Sequence, residues 1–234
     1  MNQPTIIFVT GTDTGVGKTV TTAALAASLA AAGATVAAYK PTQTGVTGEE
    51  AGDMDEVRRL SGIWSVTEGI RLAVPMAPVA AAELERRILP SVTQHVNNIS
   101  EVLETHGIVL VEGAGGLLVE MDERAHTLAD LAGRVKELAR VLTIVVCRSG
   151  LGTLNHTELT LEALDRRGLP AAGLVIGSWP ESPTDLERGN LRYLNSLRVP
   201  LLGSLPAGAS ELAPDTFRER MPHYLHLPQL WSES

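Results

Sequence analysis

The chain has 234 residues and a formal net charge of −8, a length that suits one α/β domain. It holds no apolar run of the ~18 residues that a membrane span needs, and no basic cluster is denser than Arg86-Arg87. The missing apolar run leads us to expect no membrane as partner. Because nucleic-acid binders carry a basic face, we expect no nucleic acid as partner either. A single cysteine, Cys147, excludes a disulfide within the chain. The start shows no targeting signature, so we expect a cytoplasmic protein.

The predicted elements alternate between strands and helices along the chain. Strands are predicted at Thr5–Thr10, Thr35–Lys40, Ile108–Val111, Val141–Cys147, Ala172–Ile176 and Leu201–Leu205. Helices are predicted at Lys18–Ala32, Asp53–Ser61, Pro90–His106, Leu128–Arg140, Thr153–Arg167 and Asp185–Leu197. Continuous apolar strands are typical of parallel sheets covered on both faces. The pattern predicts one doubly wound, mainly parallel α/β domain over residues 1–234, with helices on both faces and residues 221–234 as a surface tail.

A glycine-rich turn follows the first predicted strand and leads into a helix. Residues 11–19 read Gly-Thr-Asp-Thr-Gly-Val-Gly-Lys-Thr. Such a turn brings backbone N–H groups, a helix N-terminus and a lysine to one point, which suits a polyphosphate. The strict Walker A spacing would place a glycine at Thr12, whereas Gly11 stands one residue earlier. The segment predicts a variant phosphate-binding loop for a nucleoside triphosphate with Mg²⁺; the alternative is a turn that only packs a helix on the sheet.

Two other strand ends carry charged residues. Lys40 precedes Pro41, which favours extended backbone, and Glu112 follows an apolar strand at the Walker B position. The carboxyl ends of parallel strands face one crevice. Lys40 is therefore a candidate to hold phosphoryl or substrate oxygens, and Glu112 to bind Mg²⁺ together with the Thr19 hydroxyl. A solvated lysine and an exposed turn glutamate are the alternatives.

Two further segments suit either ligands or helix caps. Asp53, with Glu56 three residues later, has the spacing of a capping box; the alternative is a third oxygen near the metal. Residues 151–156, Leu-Gly-Thr-Leu-Asn-His, open a predicted helix. Thr153 or Asn155 could cap that helix, but its unpaired N–H groups also attract a carboxylate.

Four segments together resemble the dethiobiotin synthetase family: residues 11–19, 40–45, 112–116 and 151–156. The family's loop, Gly-Thr-x-Thr-x-Val-Gly-Lys-Thr, carries the extra residue that puts Gly11 out of Walker register. The resemblance implies a P-loop NTPase-like ligase of biotin biosynthesis, working as a homodimer. It would carboxylate 7,8-diaminopelargonic acid with CO₂ and close the ring with ATP and Mg²⁺, giving dethiobiotin, ADP and phosphate.

The resemblance also assigns site residues. The catalytic residues would be Lys18, Lys40 and Thr14, and the metal-binding residues Thr19, Asp53 and Glu112. Nucleotide contacts would come from Gly15, Val16, Gly17, Lys18, Thr19, Val20, Asp53, Glu112, Gly113, Ala114, Gly115, Gly177, Ser178, Pro206, Ala207 and Gly208. Substrate contacts would come from Thr14, Lys40 and Thr44, and from Leu151, Gly152, Thr153, Leu154 and Asn155 of the partner subunit, so that each site spans the dimer interface.

One departure from the family concerns the base. Many members read adenine with an Asn just after the strand that corresponds to Ala172–Ile176, where this chain has Gly177-Ser178. Backbone reads base edges less selectively than an amide side chain, so we predict a loosened choice that admits other nucleoside triphosphates.

Three rival functions stay open. A partition-type or regulatory ATPase usually has an additional lysine in a Lys-Gly-Gly context, where this chain has Gly11-Thr12-Asp13. An amidotransferase needs an ammonia source, typically a glutaminase domain with a nucleophilic cysteine, and Cys147 falls in a predicted strand. In a non-catalytic nucleotide-binding module, Lys40 and Glu112 would have no function.

Overall fold

One parallel sheet organises the computed structural model, which describes residues 4–227. Its strands are β1 (Thr5–Gly11), β2 (Val36–Gln43), β3 (Val66–Arg71), β4 (Ile108–Gly116), β5 (Arg140–Cys147), β6 (Ala171–Trp179) and β7 (Leu201–Pro206). Their order is β3-β2-β4-β1-β5-β6-β7, and every neighbouring pair is parallel. The chain builds one side of the sheet before it crosses to β5, so the end of β1 lies where ligands bind in such sheets.

Helices cover both faces of the sheet. They are α1 (Lys18–Ala31), α2 (Asp53–Ser61), α3 (Pro78–Glu85), α4 (Val92–Leu103), α5 (Leu128–Arg134), α6 (Thr153–Asp165), α7 (Asp185–Ser196) and α8 (Pro214–Arg220). Alternate residues of β1 enter two cores: Ile7 and Val9 meet side chains of α1, α2 and α8, whereas Ile6 and Phe8 meet side chains of α4–α7. The predicted doubly wound fold is confirmed. In residues 4–227, no helix combines the length and apolar character needed to cross a membrane.

The structure adds elements that the sequence pattern did not predict. β3 is an edge strand in which only Ile70 is buried, so it shows no apolar run. The helices α3 and α8 are short, and each begins with a proline in its first turn. β2 does not end at Lys40 as predicted: it pairs with β4 up to Tyr39 and continues beside β3 to Gln43. Lys40 therefore lies within a strand, where β2 and β4 part.

The predicted surface tail is packed at its start. Met221 and Leu225 are buried in the core beneath α1, α2 and α8. Residues 221–227 thus cover one end of that core, and residues 228–234 lie outside the described part of the chain.

Candidate active site

The glycine-rich loop after β1 takes the geometry that a phosphate needs. Gly15 and Gly17 have φ values of 70° and 96°, a left-handed conformation that favours glycine. A Cβ on Gly17 would lie 2.7 Å from the Gly177 carbonyl oxygen, so the loop packs tightly on the end of β6. The Lys18 ammonium bends back and donates to the Asp13 carbonyl oxygen at 3.1 Å. The loop thus forms a cradle that ends at the α1 N-terminus.

A buried cluster of opposite charges lies beside this loop. The Lys40 Nζ atom is 2.8 Å from Glu112 Oε1 and 2.7 Å from Asp53 Oδ2. Lys40 is 3% exposed and Glu112 fully buried, so the alternatives of a solvated lysine and an exposed glutamate are wrong. The Thr19 hydroxyl donates to Glu112 Oε1 at 3.0 Å. Three elements, β2, β4 and α1, together with the start of α2, therefore bring their polar groups to one point.

The pKa values of the two lysines at this site shift in opposite directions. Burial alone lowers the pKa of Lys40, but the charges of Glu112 and then Asp53 raise it above its ordinary value. Burial, followed by the charge of Lys40, lowers the pKa of Lys18. Lys40 is therefore held firmly as an ammonium, whereas Lys18 lies in a site that disfavours its charge until an anion arrives.

The oxygens of this cluster suit Mg²⁺. The described residues contain no group of three His, Cys, Asp or Glu side chains arranged for a metal. Mg²⁺ needs none, because it binds through one or two carboxylates, substrate phosphates and water. Thr19, Asp53 and Glu112 supply such hard oxygens, and the two carboxylates outnumber the one ammonium between them.

The start of α2 differs from its predicted capping. The Gly52 N–H donates to Asp55 Oδ2 at 2.9 Å, whereas Glu56 pairs with Arg59. The capping box with Glu56 is therefore wrong, and Asp53 stays free of that role. Its carboxylate turns to Lys40.

A cavity of about 780 Å³ collects half of the predicted site residues. Its walls include Thr14, Gly15, Gly17, Lys18, Thr19, Val20, Lys40, Thr44, Asp53, Glu112, Ala114 and Gly115. The sequence did not predict the other part of the lining, which is Gln43, Gly45, Val46, Pro75, Met76, Ala77, Pro78 and Val119. These residues lie in or beside loops, where no periodic pattern marks them, and several of them give the cavity an apolar wall.

Some predicted residues have structural tasks instead of lining the cavity. Val16 is buried in the core. A Cβ on Gly113 would lie 2.6 Å from a Leu128 methyl carbon, so this glycine makes room for α5. Gly177 and Ser178 lie near the end of β6, where the Ala207 N–H donates to the Trp179 carbonyl oxygen at 2.8 Å and so joins the stretch Pro206-Ala207-Gly208 to this strand. These two stretches lie beside the loop and outside the cavity.

The start of α6 is exposed and does not line the cavity. Gly152 is the N-cap with a φ of 88°, and no side chain caps the helix. Thr153 is buried and Asn155 exposed, so the prediction that either caps the helix is wrong. Leu151 is 81% exposed. The first turn therefore offers backbone N–H groups to the outside of this chain.

One functional contact was missed because nothing in the sequence marks it. The Thr22 hydroxyl donates to Glu112 Oε2 at 2.8 Å, one helical turn after Lys18. It holds the oxygen of Glu112 that faces away from Lys40 and so orients the carboxylate.

The fold and the loop define a P-loop nucleotide-binding protein. A family model described as an AAA domain matches residues 5–212. The cell division protein FtsY from Thermotoga maritima superposes with a TM-score of 0.52 at 18% identity, covering 94% of this chain and 68% of that one, a likeness of fold alone.

Closer relatives narrow the class. The ATP-dependent dethiobiotin synthetase BioD of Streptomyces coelicolor is 47% identical over 224 residues, covering 95% of this chain and 92% of its own length. The enzyme of the same name from Mycobacterium avium is 51% identical over 213 residues, covering 91% and 92%. The chain belongs to the family of ATP-dependent dethiobiotin synthetases, as its four motifs predicted.

Proposed function

We propose that this protein is an ATP- and Mg²⁺-dependent ligase that carboxylates 7,8-diaminopelargonic acid with CO₂ and closes it to dethiobiotin, ADP and phosphate. One observation carries the proposal: Lys40 lies between Glu112 and Asp53 in the cavity that also contains the P-loop lysine, Lys18. The names of the relatives support the ATP dependence and the dethiobiotin product.

The reaction starts with a neutral amine, which captures CO₂ and loses a proton to give a carbamate. The cationic side chain of Lys18 opposes protonation of a nearby amine. Lys40 contributes less to this effect, because its two carboxylate partners offset its charge. Thr14 and Thr44 line the cavity and suit the carbamate oxygens as hydrogen-bond donors.

The next steps transfer a phosphoryl group and close the ring. A carbamate oxygen attacks the γ-phosphorus, and ADP leaves. Lys18 and Lys40 stabilise the charge on the transferring group, and the protein mainly positions the reactants. The second amine then attacks the carbamoyl carbon of the mixed anhydride, phosphate leaves, and a cyclic urea remains. When bound to Thr19, Asp53 and Glu112, Mg²⁺ supplies charge neutralisation at the nucleotide phosphates.

We propose a homodimer in which the start of α6 receives the distal carboxylate of the substrate bound to the partner. Two observations support this arrangement. Gly152 and Asn155 at the start of α6 are exposed and lie outside this chain's own cavity, and Leu151 presents an apolar side chain next to them. The cytoplasmic location stays a prediction.

Phosphate release separates this function from its rivals. Purified protein is incubated with ATP and Mg²⁺, with and without the diamine and bicarbonate. We expect phosphate release only when both substrates are present. A regulatory ATPase would release phosphate without them, and an amidotransferase would instead require ammonia and a carboxylate; either result would contradict the proposal.

A further inference from the structure

Gln43 is the last residue of β2, and both the oxygen and the nitrogen of its buried side-chain amide form hydrogen bonds. It is 4% exposed. Its Oε1 atom accepts the Asp53 backbone N–H at 2.9 Å, and its Nε2 atom donates to the Thr44 carbonyl oxygen at 3.0 Å. Its own carbonyl oxygen accepts the Leu72 N–H at 2.8 Å, which fixes the residue to β3. The side chain thus connects the end of β2 to both ends of the loop that leads to α2, at Thr44 and at Asp53.

The two partners determine the chemistry required at this position. Exchanging the amide ends of Gln43 would place N–H against the Asp53 N–H and oxygen against the Thr44 carbonyl oxygen. A carboxylate would accept from Asp53 but could not donate to Thr44, and an apolar side chain would do neither. Only an amide of this length satisfies both partners.

The contact with Asp53 matters because this residue begins α2 and carries a carboxylate that meets Lys40. Asp53 is the first residue of α2, so its N–H is one of those without a partner inside the helix. Its carboxylate is 38% exposed and ends at Lys40. Residues 47–51, which lead into α2, are exposed. Two contacts from β2 reach Asp53: Lys40 pairs with its carboxylate, and Gln43 accepts the hydrogen bond of its backbone N–H. Gln43 thus fixes the backbone that carries this carboxylate.

We propose that Gln43 is a positioning residue that couples the metal-binding start of α2 to the substrate loop at Thr44. It holds the Asp53 carboxylate at the Mg²⁺ site and orients Thr44 toward the carbamate. The inference rests on the proposed function, which makes Asp53 a metal ligand and Thr44 a substrate contact.

The test measures metal-dependent nucleotide binding, which needs no turnover. Calorimetry gives the affinity for ADP over a series of Mg²⁺ concentrations and in EDTA, for the wild type and Gln43→Met. We expect the Mg²⁺ concentration that gives half of the metal-dependent gain to rise about tenfold, with affinity in EDTA unchanged. Gln94→Met is the matched control, because the Gln94 Oε1 atom accepts the Ser91 N–H at the start of α4, outside the site; its Mg²⁺ dependence should equal that of the wild type.

Gln43→Glu keeps the acceptor for the Asp53 N–H and removes the donor to the Thr44 carbonyl oxygen, so it tests the two contacts separately. It is also the second variant to measure if Gln43→Met does not fold. We expect a Mg²⁺ dependence like that of the wild type and a raised KM for the diamine. Wild-type Mg²⁺ dependence in folded Gln43→Met, or an unchanged diamine KM in Gln43→Glu, would overturn the inference. If ADP binding to the wild type does not respond to Mg²⁺ at all, the proposed metal site itself fails.

Discussion

Lys40 pairs with two carboxylates before any ligand binds, and its removal has two separable effects. Lys40→Ala leaves the Glu112 carboxylate buried without its ammonium partner, an arrangement that costs about 3–5 kcal/mol of stability. It also removes a charge that stabilises the transferring phosphoryl group. We expect turnover to fall about 10²–10³-fold, with a raised diamine KM and little change in ADP affinity.

Steady-state kinetics, ADP calorimetry and urea unfolding check this expectation. Lys136→Ala is the control, since Lys136 donates to the Gly168 carbonyl oxygen and lines a different cavity. A Lys40→Ala protein that loses ADP affinity as strongly as turnover would show that Lys40 binds nucleotide rather than substrate.

We predict that nucleotide choice depends on the backbone at Gly177. A Cβ at this position would lie 2.1 Å from the Val16 carbonyl oxygen, so a larger residue here would displace the phosphate-binding loop. The next residue, Ser178, is exposed, and neither Gly177 nor Ser178 offers a side-chain amide to a base. We expect measurable turnover with CTP and GTP beside ATP at matched subsaturating concentrations. Strict dependence on ATP would contradict this prediction.

The sequence reveals the charged residues of the site but not their partners. Lys18 can be predicted from the glycine-rich loop that precedes it, and Glu112 from the apolar strand run before it. The hydrogen bond from Thr22 to Glu112 joins residues 90 positions apart, and that from Lys40 joins residues 72 positions apart. No local pattern encodes such pairs. They depend on strand order, which places β4 between β1 and β2.

At the scale of elements, α4 is attached to β2 through a buried histidine. The Tyr39 hydroxyl lies 2.6 Å from His95 Nδ1 and accepts the Asn98 amide at 3.1 Å. His95 Nε2 has no hydrogen-bond partner among the described residues. Burial lowers the pKa of His95 to about 4, and the charge of Asp122 only partly opposes this shift.

This pKa predicts how stability depends on pH. Between pH ~6.5 and ~4 the unfolded chain binds a proton at His95 that the folded protein does not. The free energy of unfolding therefore decreases as the pH falls through this window, by up to about 3 kcal/mol from this residue. Urea unfolding of the wild type and His95→Gln should show a shallower pH slope for the variant. His223→Gln, at an exposed position, should keep the wild-type slope; equal slopes for all three proteins would refute the assignment.

Elements with a strong hydrophobic pattern are predictable here, and the edge strand β3 is not. α2 is predicted with both of its observed ends, Asp53 and Ser61. β3 was missed because it pairs on one side only and buries a single apolar side chain. Backbone hydrogen bonds to β2 hold β3 in the sheet, although the strand has few apolar side chains to bury. β3 in turn pairs with Gln43 and so supports the site.

At the scale of the whole molecule, the proposed dimer shares each site between two subunits. Lys40→Ala damages the site of its own subunit, and Asn155→Asp places a negative charge at the helix start offered to the partner. In a mixed dimer one site carries both changes and the other neither. We expect mixed dimers to recover about half of the wild-type turnover per dimer, as an isologous interface requires.

Each variant alone should be nearly inactive, and native mass spectrometry verifies that mixed dimers form. Verified mixed dimers without recovered activity would show that each site lies within one subunit.

We propose that Lys18, Lys40 and the Glu112 carboxylate serve one reaction, ring closure driven by phosphoryl transfer. Mass spectrometry of the products formed from the diamine, ¹³C-labelled bicarbonate and ATP is the decisive measurement. We expect dethiobiotin with a labelled urea carbon, formed in step with ADP and phosphate. ADP and phosphate without a labelled ring product would contradict it.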